Sequence, residues 1–217
     1  MTGKIFLSGG GDEKQTFDLD EFFFSQLKFN QKILYIPVAL NLTSFKVESC
    51  YDWFSSIISI HAADKDIDFE ICLEENQIND LTKYSAIYMG GGNTYKLLNF
   101  IYESGLVNKI PAFIKNNGIV YGGSAGAVVL GSDIRTVSEE NDKNYYHHKG
   151  LNLLNNKSII CHYEPQLNHK IIKSSETINS DIIALKEDSG LIYDQEGNLI
   201  KIVSDVFEFN KSSIKKL

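Results

Sequence analysis

Residues 121–130 read YGGSAGAVVL, and within them Gly122-Gly123-Ser124-Ala125-Gly126 fits the pattern G-x-S-x-G. An apolar run, Ile119-Val120-Tyr121, precedes the pattern and another follows it. A serine on a sharp strand-to-helix turn occupies the position of a nucleophile. Small neighbours let the backbone close, and the next residue offers an N–H at a helix N-terminus, where the dipole favours negative charge. Here that donor is the N–H of Ala125. A glycine-rich link whose serine only caps a helix would look the same, so the accompanying residues must separate the two readings.

A hydroxyl becomes nucleophilic when a base takes its proton and a third group orients the base. The chain has five histidines: His61, His147, His148, His162 and His169. His61 falls near the end of a helical stretch, and His147 and His148 lie in a polar segment. His162 follows the apolar Ser158-Ile159-Ile160-Cys161. If that strand joins the sheet of Ser124, His162 emerges at the same edge. Glu187 ends the apolar run IIALK, and Asp188 beside it satisfies the spacing equally. A second glycine turn, Gly90-Gly91-Gly92, stands before a helix starting near Asn93. An N–H there would be a second oxyanion donor, worth about 2.7–4 kcal/mol of transition-state stabilisation. Its spacing matches neither the dinucleotide fingerprint nor a P-loop.

Such residues need strands that end together. KIFLSGGG reads as a buried strand entering a glycine turn, and DLDEFFFSQLKF as the helix after it. KILYIPVAL is a second strand, ended by Pro37 or soon after. SFKVESCYDWFSSIISIHAA has helical period, with Ser44 a plausible N-cap. DIDFEICL, then YSAIYMGGGNTYKLLNFIYESG, then LVNKIPAFIKNNGIVYGG continue the alternation. That pattern predicts an α/β fold, a doubly wound, mostly parallel sheet with helices on both faces, whose ligands gather at the strands' carboxyl ends. Beyond residue 131 a long polar segment suggests a functional loop or hairpin insertion, and short strands close the chain. Residues 1–217 read as one catalytic domain.

Composition excludes several classes. A net charge of −7 without a basic stripe argues against nucleic acid. No run approaches the length of a membrane span, and the N-terminus reaches glycines and acids before any apolar stretch long enough for a leader peptide, so none is expected. The three cysteines lack metal-ligand spacing and suit a reduced, cytoplasmic protein. No metal or cofactor is expected, and the oligomeric state is not legible.

The stretches GGGNTYKLL, YGGSAGA, DIRT, CHY and ALKEDSGLI stand in the order and close to the spacings of peptidase E. The chain resembles this aspartyl dipeptidase family, related to cyanophycinase, over about residues 84 to 194. The resemblance implies a fold like that of the class I glutamine amidotransferases, with serine replacing their cysteine. It implies Ser124 as nucleophile, His162 as general base and Glu187 as third triad member. Gly92 and Ala125 match its oxyanion-hole positions, Asn93 a residue lining the substrate site, and Glu139 an acidic place in the loop after IRT. Relatives that cleave after an N-terminal aspartate are expected to read its carboxylate with a basic residue, often arginine, after the histidine. Here YEPQLNHKIIKSSET holds no arginine. Lys170, Lys173, His169 or the single arginine of the chain, Arg135, would have to serve. The expectation is a serine exopeptidase for dipeptides or short peptides. A non-peptidase serine hydrolase, a cyanophycin-type isopeptidase and a non-catalytic binding protein of the same fold are the alternatives.

Overall fold

A computed structural model describes residues 2–40, 46–78, 80–139, 141 and 143–217. Strand β1 (Lys4–Ser8) precedes α1 (Phe17–Ser25), β2 (Lys32–Ile36) precedes α2 (Val47–Ala62), and β3 (Asp68–Ile71) leads to β4 (Ala86–Met89). Helices α3 (Thr94–Glu103) and α4 (Leu106–Lys115) follow, then β5 (Ile119–Gly123) and α5 (Ala125–Leu130). The rest of the chain forms β6 (Ser158–Ile160), α6 (Asn168–Ile178) and β7 (Ile182–Leu185), then β8 (Gly190–Asp194), β9 (Leu199–Val203), β10 (Val206–Phe209) and β11 (Ile214–Lys216).

The main sheet runs β3-β2-β4-β5-β1-β8-β9. Its first five strands are parallel, and β8 and β9 add an antiparallel edge. Alternation within each strand divides the core. Ile5, Leu7, Leu34, Ile36, Ile87, Met89 and Val120 face α3, α4 and α5. Phe6, Ile33, Tyr35, Tyr88 and Tyr121 face α1 and α2. Burial on both faces is why these strands read as continuous apolar runs. Register places Tyr35 beside Tyr88, Tyr88 beside Tyr121 and Tyr121 beside Phe6, an aromatic row across four strands.

The structure corrects two expectations and adds a helix. Strand β6, which leads to His162, does not join the sheet of β5. It pairs with β7 in a second sheet ordered β11-β10-β7-β6. Helix α2 starts after Lys46, whose side chain makes no capping bond, while Ser44 lies outside the described residues. Helix α6 was not read from the sequence. It buries Ile171, Ser175 and Ile178, a single stripe in an otherwise polar segment. Among the described residues no helix is long and apolar enough to cross a membrane.

Candidate active site

Ser124 stands between β5 and α5 at φ 49° and ψ −110°. A non-glycine residue there carries strain of order 1–3 kcal/mol, and the surroundings hold it in place. Its N–H donates to Ser8 O at 3.1 Å, and its carbonyl accepts from Ala127 and Val128 N–H at 2.9 and 3.0 Å. Close approach of α5 to β4 explains the small residue at 126, where a Cβ would lie 2.4 Å from Met89 O.

Ser124 Oγ lies 2.8 Å from His162 Nε2, and His162 Nδ1 lies 3.1 Å from Glu187 Oε1. With Nδ1–H donating to the carboxylate, Nε2 is left to accept the serine proton. The parallel pairing of β6 with β7 sets the two partners side by side. Ile160 is opposite Ala184, and Tyr163 N–H donates to Leu185 O at 2.9 Å. Asp188 points elsewhere, its Oδ2 accepting from Ser204 Oγ at 2.9 Å. Imidazole and carboxylate are each about half exposed, 49% and 51%, so both are open to substrate and solvent.

The β1 turn holds this pair against the serine. His162 N–H donates to Gly9 O at 3.3 Å, Gly11 N–H to Glu187 O at 3.1 Å, and Gln15 Nε2 to Glu187 Oε2 at 3.2 Å. A Cβ at Gly10 would lie 2.6 Å from Ser124 Cβ and 2.9 Å from His162 Cε1. Gly10 and Gln15 were not singled out from the sequence. The signal was present, since Gly9-Gly10-Gly11 is a third glycine turn at a strand's carboxyl end.

The remaining expected residues have definite places. The 90–92 turn abuts Ser124, a Cβ on Gly91 falling 3.8 Å from Ser124 Oγ. No turn or loop carbonyl engages the Gly92 or Ala125 N–H among the described residues. Asn93 caps α3, its side chain accepting from Lys96 N–H at 2.9 Å. Glu139 grips the start of the same helix, taking Thr94 N–H at 2.7 Å and Thr94 Oγ1 at 3.0 Å. Arg135 is committed to Asp133 by two side-chain bonds of 2.9 and 2.7 Å, and Lys149 joins that carboxylate at 3.1 Å. Burial opposes ionisation of Asp133, yet the bonds from Arg135 and Lys149 hold its carboxyl below the ordinary range. Cys161 Sγ lies 3.6 Å from both Ser8 O and Ser124 O, and desolvation pushes its thiol well above the usual range.

Two cavities meet at Ser124. One of about 140 Å³ is lined by Ala125, Thr136, Glu139, Cys161, His162 and Lys170 among others. Neither His169 nor Lys173 lines it. The other, about 590 Å³, lies over the α1/α2 face of the sheet, between the Gly10 and Gly91 turns.

The profile of Peptidase family S51 matches residues 5–208. Peptidase E of Shewanella putrefaciens is 29% identical over 110 residues, 50% of this chain and 44% of the relative. A probable alpha-aspartyl dipeptidase of Drosophila melanogaster is 30% identical over 112 residues, 49% of this chain and 42% of the relative. The matched stretches thus span less than half of either relative's own length. In fold, the chain superposes on the crystal structure of a peptidase from an acI-B1 Actinobacterium with a TM-score of 0.69 at 18% identity, covering 100% of this chain and 94% of that one. With the three glycine turns and the serine elbow all lying inside the matched span, the chain belongs to Peptidase family S51.

Proposed function

We propose that the protein is a serine exopeptidase acting on dipeptides or short peptides. The observation that carries this is the unbroken line from Ser124 Oγ through His162 to Glu187 at the carboxyl edge of the sheet. Ser124 attacks the scissile carbonyl while His162 Nε2 takes its proton. The oxyanion forms against the Gly92 and Ala125 N–H groups, and Glu187 steadies the imidazolium. His162 then protonates the leaving amine, and water, deprotonated by the same nitrogen, hydrolyses the acyl-enzyme.

The residue on the acyl side enters the 140 Å³ cavity, where Lys170 supplies a positive charge. While Glu139, which also lines the cavity, is held to Thr94 at the start of α3, an aspartate side chain suits that size and would meet Lys170. A lysine reads it as a point charge and not through the planar fork of arginine. The test is hydrolysis of Asp-Leu, Glu-Leu, Asn-Leu, Ala-Leu and Leu-Leu by wild type and Ser124→Ala in parallel. Asp-Leu should be the best substrate, and the substitution should lower kcat by about 10⁴- to 10⁶-fold. Undiminished hydrolysis by Ser124→Ala, or none of the panel cleaved by wild type, would overturn the proposal.

A further inference from the structure

The 590 Å³ cavity has the size of a ligand site; Tyr35, Tyr88, Tyr121 and Trp53 line it on one side, and the glycine turns with Asp12 and Glu13 on the other. Its floor is the in-register row Tyr35, Tyr88 and Tyr121, and α2 contributes Trp53. This row is packed side to side. Tyr88 and Tyr121 stack with centroids 4.4 Å apart and planes 10° apart, and Tyr121 stacks on Phe6 at 6.3 Å and 11°. Ring faces in the row are therefore taken by neighbouring rings, which leaves edges for a guest. Ring edges are the positive part of an aromatic quadrupole and meet another ring's face, whereas a cation needs a free face. The Tyr121 hydroxyl already donates to Asp20 Oδ1 at 2.5 Å, and Asp20, 3% exposed, also takes Thr16 Oγ1 at 2.7 Å. Tyr121 thus asks no hydrogen bond of an occupant.

Position along the scissile bond follows from the same geometry. Ser124 lines both cavities, so a peptide bond attacked there straddles them. The amine that departs must face His162 Nε2. Space at that nitrogen is kept open by Gly10, where a Cβ would lie 3.1 Å from Nε2, and Gly10 and Gly11 line the larger cavity. Resting on the exopeptidase reading above, we propose that this cavity binds an aromatic side chain on the leaving-amine side of the scissile bond.

Trp53 is the only tryptophan in the chain, so its fluorescence reports occupancy of the cavity without any turnover. Asp-Phe, Asp-Lys and Asp-Gly should be titrated into Ser124→Ala, and their hydrolysis followed with wild type. Asp-Phe should saturate the Trp53 signal at about tenfold lower concentration than the other two, with kcat/KM in wild type ordered the same way. Ser49→Phe, on the exposed face of α2 at the cavity wall, should erase that advantage, bringing kcat/KM for Asp-Phe down to that for Asp-Gly. Equal response to Asp-Phe and Asp-Gly, or an advantage of Asp-Lys over Asp-Phe, would overturn the inference. Wild type that hydrolyses no dipeptide while Ser124→Ala still binds Asp-Phe selectively would sink the exopeptidase reading and keep the aromatic site.

Discussion

Gly10 shows how little room Ser124 and His162 leave. A methyl there would press on both Ser124 and His162, at φ +93°, a conformation side chains avoid. Gly10→Ala should therefore lower kcat by about 10²-fold through misplacement of the imidazole, at a stability cost of about 1 kcal/mol; stopped assays beside a thermal melt separate the two effects. Arg135 and Lys170 make a second contrast at this scale. Arg135→Ala strips a buried carboxylate of its main partner. Because Arg135 is partly exposed and Lys149 remains, the loss should be about 1–2 kcal/mol, visible in Tm, with the Asp-Leu to Ala-Leu preference unmoved. Lys170→Ala should do the reverse, holding Tm and cutting that preference about five- to tenfold in kcat/KM. The types and strand-end places of Ser124 and His162 made them candidates in the sequence, and the resemblance to peptidase E implied their roles and that of Glu187. Spacing alone left Glu187 and Asp188 open, because one step along a chain after a strand reverses direction, and the fold shows Asp188 turned to Ser204. Gly10 and Gln15 act across most of the chain length, a relation no local spacing reveals.

Among the elements, strands β1, β2, β4 and β5 were legible because burial on both faces makes them unbroken apolar runs. Membership of β6 in a separate sheet was not, since pairing is decided by partners distant in sequence, and a three-residue strand carries no mark of its neighbour. At the opposite edge, β3 is pinned by charge. Glu70 on β3 accepts from Lys32 on β2 and from Lys83 and Tyr84 ahead of β4, bonds that draw its carboxyl down to about 2 from an ordinary 4.5. A depressed carboxyl stabilises the fold above its unfolded-state value and loses that contribution as pH falls through the folded one. The Tm advantage of wild type over Glu70→Gln should accordingly be full above pH 4.5 and vanish towards pH 2. A difference between the two proteins that stayed constant over that window would show that the edge is not held this way.

Taken whole, the molecule brings Ser124, His162 and Glu187 together from two sheets. One face of the second sheet rests on only six buried side chains, Tyr163, Ile171, Ile178, Ile182, Ala184 and Phe209, while its other face joins the large core around α3, α4 and α5 through Ile159, Ile183, Leu185 and Val206. Regions with small cores open at lower free energy than the whole. Hydrolysis should therefore fail at a lower urea concentration than the far-ultraviolet helix signal, and Phe209→Ala, fully buried, should cost about 3–5 kcal/mol and widen that gap. Coincident midpoints for activity and helix signal would mean that the two sheets unfold as one. The crossover from β6 through α6 to β7 has a separate implication. His162 and Glu187 follow the paired strands β6 and β7, while Lys170 rides on the helix that connects them and that contributes Ile171 and Ile178 to the core of the second sheet. On the proposed mechanism, a graft of α6 that keeps this apolar stripe would rewrite the charge beside Ser124 and leave the Ser124–His162–Glu187 line where it stands.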